Sequence, residues 1–442
     1  MPLTATLDEL LADLLASYQS ATPRSAALRE RAARVMPGGD TRTGTFHLPW
    51  PLVMARGAGA RLWDEDGREY LDFLGNFTSL VHGHAHPVVT EAIARQAALG
   101  TAHGAPTVLM TELAERIQQR FPSVERIRFC NSGTESALFA IRAARAFTGR
   151  SIILKMEGGY HGSYDHVQIA QGPPNQPGLS PGALAEVVAV PFNDTARLLD
   201  AIHRHRNELA AIIVEPLMMA GGCIPAEAGY LGALVEAARD AGALFICDEV
   251  ATFRLGYGGA QGVYGVTPDL TCFGKVIGGG LPAGAFGGRA DVMAVYDPTR
   301  PGSITHSGTY NGNALTMAAG IATLDLLTPD VLERLNVEGA SVRARVAAAC
   351  EASGLPLTVT GMGSLIGVHP VSGPVRNAGE AAAGDRRLLR ALHLALLSRG
   401  IFSAARQFYV LSTAMSARDT VMFDAAFRES VTLIAAAARG DA

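Results

Sequence analysis

"ALFICDEV", residues 243–250, decides the fold. Five apolar residues run without a polar break into two adjacent acids, Asp248 and Glu249. A run this short and uninterrupted reads as a strand buried on both faces, the kind found in parallel sheets covered by helices. The chain around it repeats the pattern. Upstream, residues 107–120 read as a helix, "RIRFC" (126–130) as a strand and 134–147 as a helix. "SIILKM" (151–156) and "LAAIIVEP" (209–216) read as strands, and 228–241 as a helix. Downstream, "LTCFGK" (270–275) and "AGAFGG" (283–288) read as two more strands, with helices at 289–296 and 313–327. Strands and helices in this alternation predict an α/β fold around a mainly parallel sheet.

Beyond about residue 330 the rhythm changes to α+β. A long helix (330–352), strands near 356–370, a helix (385–399), a strand pair within 401–411 and a closing helix are expected. At the other end, "MPLTATLDELLADLLASYQS" (1–20) carries Asp8, Glu9 and Asp13 in helical rhythm and reads as an amphipathic helix. "ARLWDEDGREYLDFL" (60–74) has two apolar runs about Asp66-Gly67, a hairpin signal. The expected division is an N-terminal segment (1–75) that joins a smaller domain, a large domain (76–330) and a C-terminal small domain (331–442). Residues 171–186, "QGPPNQPGLSPGALAE", form a Pro/Gly-rich loop of a length that is usually functional or mobile.

At 442 residues, 48% hydrophobic and 18% charged, the chain has the size and balance of a globular protein of two or three domains. A net charge of −4 without a basic block offers nothing to nucleic acid. Cys130, Cys223, Cys247, Cys272 and Cys350 are scattered, odd in number and without zinc-like spacing. They read as reduced thiols of a cytoplasmic protein, and no metal site is expected. The N-terminus lacks the basic region of a signal peptide, and no run approaches the roughly 18 apolar residues that a membrane span needs.

Three stretches stand where α/β sheets keep their ligands, at the carboxyl ends of strands. In "CNSGTES" (130–136) a strand runs into a helix, and Ser132, Gly133 and Thr134 would offer N–H groups and hydroxyls to an anion. The plainer reading is an N-cap with a turn glycine. A buried Asp248 carboxylate needs a cationic partner, such as a pyridinium nitrogen, or a metal, because isolated burial is expensive. Its plainer reading is a strand-end acid capping a turn. In "CFGKVIGGGLPAGAFGG" (272–288), Lys275 ends an apolar strand among glycines, where a lowered pKa would free its amine for Schiff-base chemistry. A snorkelling structural lysine is the alternative.

Together the three are far more specific than singly. A phosphate cradle, a buried acid and a lysine 27 residues later are what pyridoxal 5'-phosphate requires. "GGYHG" (158–162) adds Tyr160, to stack on the ring or to serve as a core tyrosine.

"NSGTES", "GGYHG", "VEP", "DEV", "FGKVIGGG" and "HSGTYNGN" (306–313) resemble, in order and spacing, the class III aminotransferases, fold-type I pyridoxal phosphate enzymes. The resemblance runs from about residue 35 to the C-terminus. It implies a large domain built on a mainly parallel seven-stranded sheet flanked by helices, plus a smaller α+β domain. It implies Lys275 as the Schiff-base lysine and proton shuttle, and Asp248 on the pyridine nitrogen. Ser132, Gly133 and Thr134 would hold the phosphate, Tyr160 and Val250 would cover the two ring faces, and Glu215 would lie near the ring hydroxyl. Thr309 would reach the phosphate from the neighbouring subunit of a homodimer. "DEVATFRLG" (248–256) departs from the usual family spacing, and no role is assigned to Arg254.

Within the class the chain is most similar to the β-amino acid aminotransferases of β-phenylalanine type, and is related to glutamate-1-semialdehyde aminomutase. Arg42 in "MPGGDTRTGTFHLPW" (36–50) comes three residues after Gly39, as in the β-amino acid group, and "GIFSAARQFYVLSTAMS" (400–416) resembles it at Arg406. A transaminase that takes a β-amino acid and a 2-oxo acid in turn must bind carboxylates at different distances from the reacting carbon. Two arginines, each a rigid bidentate reader, would meet that need. By resemblance Arg42 would receive the donor carboxylate and Arg406 that of the 2-oxo acid, with Phe77 and Leu80 shaping an apolar pocket. For either arginine, the plainer reading is a loop cation paired with a nearby acid. The other reactions that remain open are an aminomutase-like isomerisation and an amine:pyruvate transamination.

Overall fold

The computed structural model describes residues 6–172 and 175–440. A seven-stranded sheet organises the chain, in the order Arg126–Cys130, Gly284–Gly288, Leu270–Gly274, Leu244–Asp248, Leu209–Val214, Ile152–Met156, Val187–Val190. Only Gly284–Gly288 runs antiparallel to its neighbours. The three central strands bury every residue, as a sheet sandwiched between helix layers must. The expected mainly parallel sheet is therefore present. The strand Val187–Val190, too short and too close to the Pro/Gly-rich loop to stand out in sequence, supplies its outer edge. Within that loop, Pro181–Ala185 folds as one helical turn capped by Ser180; positions 173 and 174 lie outside the described residues.

The expected N-terminal helix is Leu7–Ala21, capped by Thr6 in a capping box with Glu9; positions 1–5 of that stretch lie outside the described residues. It packs on Arg386–Ser398, near the other end of the chain. The hairpin at Asp66-Gly67 forms as expected (Arg61–Asp64 with Glu69–Asp72), and Met54–Ala58 adds a strand that sequence reading passed over.

The expected strand pair within 401–411 needs correction. Ile401–Phe402 pairs in parallel with Glu69–Asp72, whereas Phe408–Val410 pairs with Leu365–His369 in a separate three-stranded sheet. Each short strand completes a sheet edge formed elsewhere in the chain, a non-local choice invisible in the local pattern. The crossing segment between them, 403–407, carries Arg406.

All five cysteines are free and buried. No single described helix is long and apolar enough to cross a membrane.

Candidate active site

Five strands of the large sheet deliver functional groups from their carboxyl ends, Ile152–Met156 among them through the GGYHG loop. Arg126–Cys130 runs into the helix Gly133–Thr148, whose N-cap is Ser132, with its hydroxyl accepting from Glu135 N at 3.2 Å. The plainer reading of Ser132 is thus correct as far as it goes. Capping occupies one lone pair, while the first N–H groups of the helix, at Gly133 and Thr134, keep no intrahelical acceptor and form the positive end of the dipole. Two glycines let other segments press in. A Cβ on Gly133 would stand 3.0 Å from Val250 Cγ1, and one on Gly162 (φ +117°) would stand 2.6 Å from Thr134 Cα. The GGYHG loop and the DEV segment therefore close directly on the helix N-terminus.

Leu244–Asp248 ends in the acid that matters here. Asp248 Oδ2 meets His161 Nδ1 at 2.7 Å, and Oδ1 accepts from Val250 N at 3.0 Å. The neighbouring acid, Glu249, faces away into the fold, where Thr252, Ala260 and Gln261 satisfy it. Burial pushes its pKa up. From the end of Leu209–Val214, Glu215 accepts from Tyr160 N (2.9 Å) and Met219 N (3.1 Å), and burial likewise raises its pKa.

Lys275 follows Leu270–Gly274 with φ +49°, a left-handed value that is costly outside glycine. Among the described residues its Nζ has no hydrogen-bond partner. Burial holds its pKa below the ordinary lysine value, and the carboxylates of Asp248 and Glu215 oppose that shift.

The second half of the site comes from two of the smaller sheets. Gly75, Asn76, Phe77 and Thr78 take φ values of 53°, 46°, 57° and 79°. Left-handed backbone costs an L-residue roughly 1–2 kcal/mol, so this turn has to be held. Asp72 Oδ1 accepts from the N–H groups of Leu74 and Gly75, and Leu80 N donates to Gly75 O.

The turn presents Phe77 to Arg42, whose guanidinium lies 5.8 Å from the ring centroid and whose Nη1 donates to Asn76 Oδ1 at 2.8 Å. Phe77 lies 5.9 Å from Phe408, and Phe408 lies 5.7 Å from the guanidinium of Arg406. Two arginines thus stand at opposite ends of one aromatic pair. Among the described residues neither guanidinium forms an ion pair with an acid, because Asp40 beside Arg42 is occupied by Thr45 and by the N–H groups of Thr41 and Arg42. Arg406 is open to solvent yet crowded by protein, and this burial holds its pKa below the usual value against Glu215 and Tyr160.

The family model for class-III aminotransferases matches residues 45–405. The chain is a class-III aminotransferase. This aminotransferase is 42% identical over 423 residues to a β-phenylalanine transaminase of Variovorax paradoxus, covering 96% of either chain. It is also 42% identical over 422 residues to a glutamate-1-semialdehyde 2,1-aminomutase of Sorangium cellulosum, covering 92% of this chain and 96% of that one. The crystal structure of a β-phenylalanine aminotransferase from V. paradoxus matches with a TM-score of 0.92 at 42% identity, over 96% of this chain and 97% of the other.

Class-III aminotransferases work with pyridoxal phosphate, and the aminotransferase's residues fit it. An open helix N-terminus suits a phosphate, a strand-end carboxylate braced by a histidine suits a pyridinium, and a lysine without a hydrogen-bond partner among the described residues is under the influence of two carboxylates. Tyr160, 44% exposed, offers a free ring. His161 Nε2 is buried without a partner among the described residues, leaving one polar position open at the base of the site.

Ser132, Gly133, Thr134, Tyr160, Glu215, Asp248, Val250 and Lys275 are linked in this cluster, and Arg42, Phe77 and Arg406 in the row beside it. Leu80 stands apart, lining a cavity of about 170 Å³ with His82 and Gly280. Thr309 is exposed on the loop before the helix Ala314–Leu326; two residues on, Asn311 accepts from Asn131 at 2.8 Å. Sequence reading missed His161, although it lies inside the quoted GGYHG, and Phe408, which joins the two arginines. Only the register of Phe408 with Gly367, and hence its sheet, reveals the latter.

Proposed function

We propose that the enzyme transfers the amino group of an aromatic or bulky β-amino acid, of β-phenylalanine type, to 2-oxoglutarate or pyruvate. The observation that carries this reading is the pair of arginines free of carboxylate partners at the two ends of Phe77 and Phe408. The donor carboxylate, one carbon further from the amine than in an α-amino acid, binds Arg42, and the side chain packs on Phe77. The α-carboxylate of the 2-oxo acid binds Arg406.

When bound, pyridoxal phosphate supplies an electron sink and a carbonyl that carries the amine. Gly133, Thr134 and Ser132 would hold its phosphate, Asp248 would keep the ring nitrogen protonated, Tyr160 and Val250 would cover the ring faces, and Glu215 would lie near the ring hydroxyl. Lys275 Nζ would take the proton from the donor carbon and serve as its carrier. Its burial supports that task by making the unprotonated amine more available.

The same reading makes the enzyme a cytoplasmic homodimer in which Thr309 completes the phosphate site of the neighbouring subunit. It divides the chain at 75/76 and 330/331. A second reading, an aminomutase-like isomerase acting on glutamate-1-semialdehyde, draws on the S. cellulosum relative of equal identity. One donor panel separates the two: (R)- and (S)-β-phenylalanine, glutamate-1-semialdehyde and simple amines, each with 2-oxoglutarate or pyruvate. Turnover of a β-phenylalanine enantiomer well above the other donors is the expected result; preferential isomerisation of the semialdehyde refutes it.

A further inference from the structure

Lys155 is a charged side chain buried inside the large sheet for no evident reason. It lies near the carboxyl end of the strand Ile152–Met156 and is fully shielded from solvent. Among the described residues it forms no ion pair within hydrogen-bonding range. Its Nζ instead donates to three backbone carbonyls: Gly159 at 3.0 Å, Val167 at 2.7 Å and Ile169 at 2.7 Å. An ammonium carries three hydrogens, and here each has an acceptor. Burial pushes the pKa down to about 7, with Glu215 opposing.

All three acceptors belong to one loop. The segment 157–171 leaves the strand and returns on itself, with Gly158 N donating to Ala170 O at 2.7 Å and the Gln171 amide to Gly162 O at 3.1 Å. Lys155 occupies its centre. The rim carries Tyr160, tied through its N–H to Glu215, and His161, tied through its ring to Asp248. The loop thus joins the hub at Lys155 to the two buried carboxylates of the site.

We propose that Lys155 is a positioning residue that sets, through this loop, where His161 stands against Asp248 and hence against the cofactor. The inference rests on the proposed placement of the ring, with Tyr160 on one face and Asp248 at its nitrogen. Lys155 touches neither cofactor nor substrate, and its route runs through His161, so its effect should depend on His161 being present. Loss of a purely structural lysine would not show that dependence.

The test is a double-mutant cycle in full-length protein, in a Lys275→Ala background so that pyridoxal phosphate binds without a covalent link. The dissociation constant and the visible circular dichroism of the bound cofactor are both read. Lys155→Met is expected to weaken binding about tenfold or more and to shrink the dichroic signal. With His161→Ala already present it should cost less than about threefold further, the non-additivity of residues acting in one chain of contacts. Equal losses in the two backgrounds, or none in Lys155→Met, would overturn the inference while leaving the site reading intact. A null effect of His161→Ala alone would overturn the site reading and with it the proposed route. Should Lys155→Met fail to accumulate as folded protein, Lys155→Gln, which keeps two of the three donors, carries the same cycle.

Discussion

Replacing Arg42 with alanine tests the division of labour between the two arginines. Arg42 is exposed on a short loop, held by one side-chain bond to Asn76 and by Phe77 beneath it. A charge-assisted hydrogen bond contributes about 1.5–3 kcal/mol, and an exposed ion pair is screened toward the lower part of that range. A loss of about 1–2 kcal/mol in binding the donor carboxylate is therefore expected, about 5- to 30-fold in KM for β-phenylalanine. The KM for 2-oxoglutarate should stay within about twofold, because its carboxylate is assigned to Arg406. Arg406→Ala should give the mirror image, with the larger loss because Arg406 is more crowded by protein. Each half-reaction can be followed separately from the visible spectrum of the cofactor, with donor and acceptor varied in turn. The Arg42→Ala penalty should also shrink as salt is added. Equal losses for donor and acceptor in either variant would refute the argument.

Lys275→Ala should abolish the visible absorbance of lysine-bound pyridoxal phosphate and all turnover while leaving the far-ultraviolet circular dichroism unchanged; a surviving lysine-bound spectrum refutes the assignment. Gly162→Ala puts a Cβ 2.6 Å from Thr134 Cα at φ +117°, so overpacking and strain should cost about 2–4 kcal/mol. A lower melting temperature and weaker cofactor retention would show it; an unshifted melt would not fit. His47, His82 and His369 are each held down to about 4 by burial, so folding keeps them neutral while the unfolded chain protonates near the ordinary value. Their contribution is complete above about pH 6.5 and is lost as pH falls, about 2 kcal/mol each by pH 5. Denaturant melts between pH 7.5 and 5 should show that decline, and a flat profile contradicts it.

The cofactor half of the site is legible in sequence because each of its groups ends a local signal. Asp248 closes an apolar strand, Ser132 opens a helix, and Lys275 sits between a strand and a run of glycines, so motif and position arrive together. His161 is the exception. Its partner lies 87 positions away, and nothing in GGYHG distinguishes a buried, braced imidazole from an exposed one. Short strands were lost for a related reason. Met54–Ala58 carries an arginine and a glycine and is mostly uncovered, so it has no apolar alternation to detect.

The substrate half obeys different physics. Arg42, Phe77, Phe408 and Arg406 meet only because a hairpin near the N-terminus shares a sheet with Ile401–Phe402 while Phe408–Val410 joins another. Arg254 binds these pieces together. It is fully buried, its Nε donates to Ser364 Oγ at 3.1 Å, Nη1 donates to Thr78 O at 3.4 Å and Nη2 to Leu411 O. Burial without a carboxylate holds its pKa down to about 9. Arg254 therefore connects the segment just after Asp248 to the Phe77 turn and to the strand of Phe408. The same pieces also meet where Arg406 Nη1 donates to Ala220 O and where Leu217, Met219 and Ala251 pack with Phe408, so the proposed substrate row is built onto the cofactor cluster. Relatives of equal identity bear the names of different reactions, so identity over the whole chain does not choose between them, and the proposed choice rests on four residues that meet only through the fold.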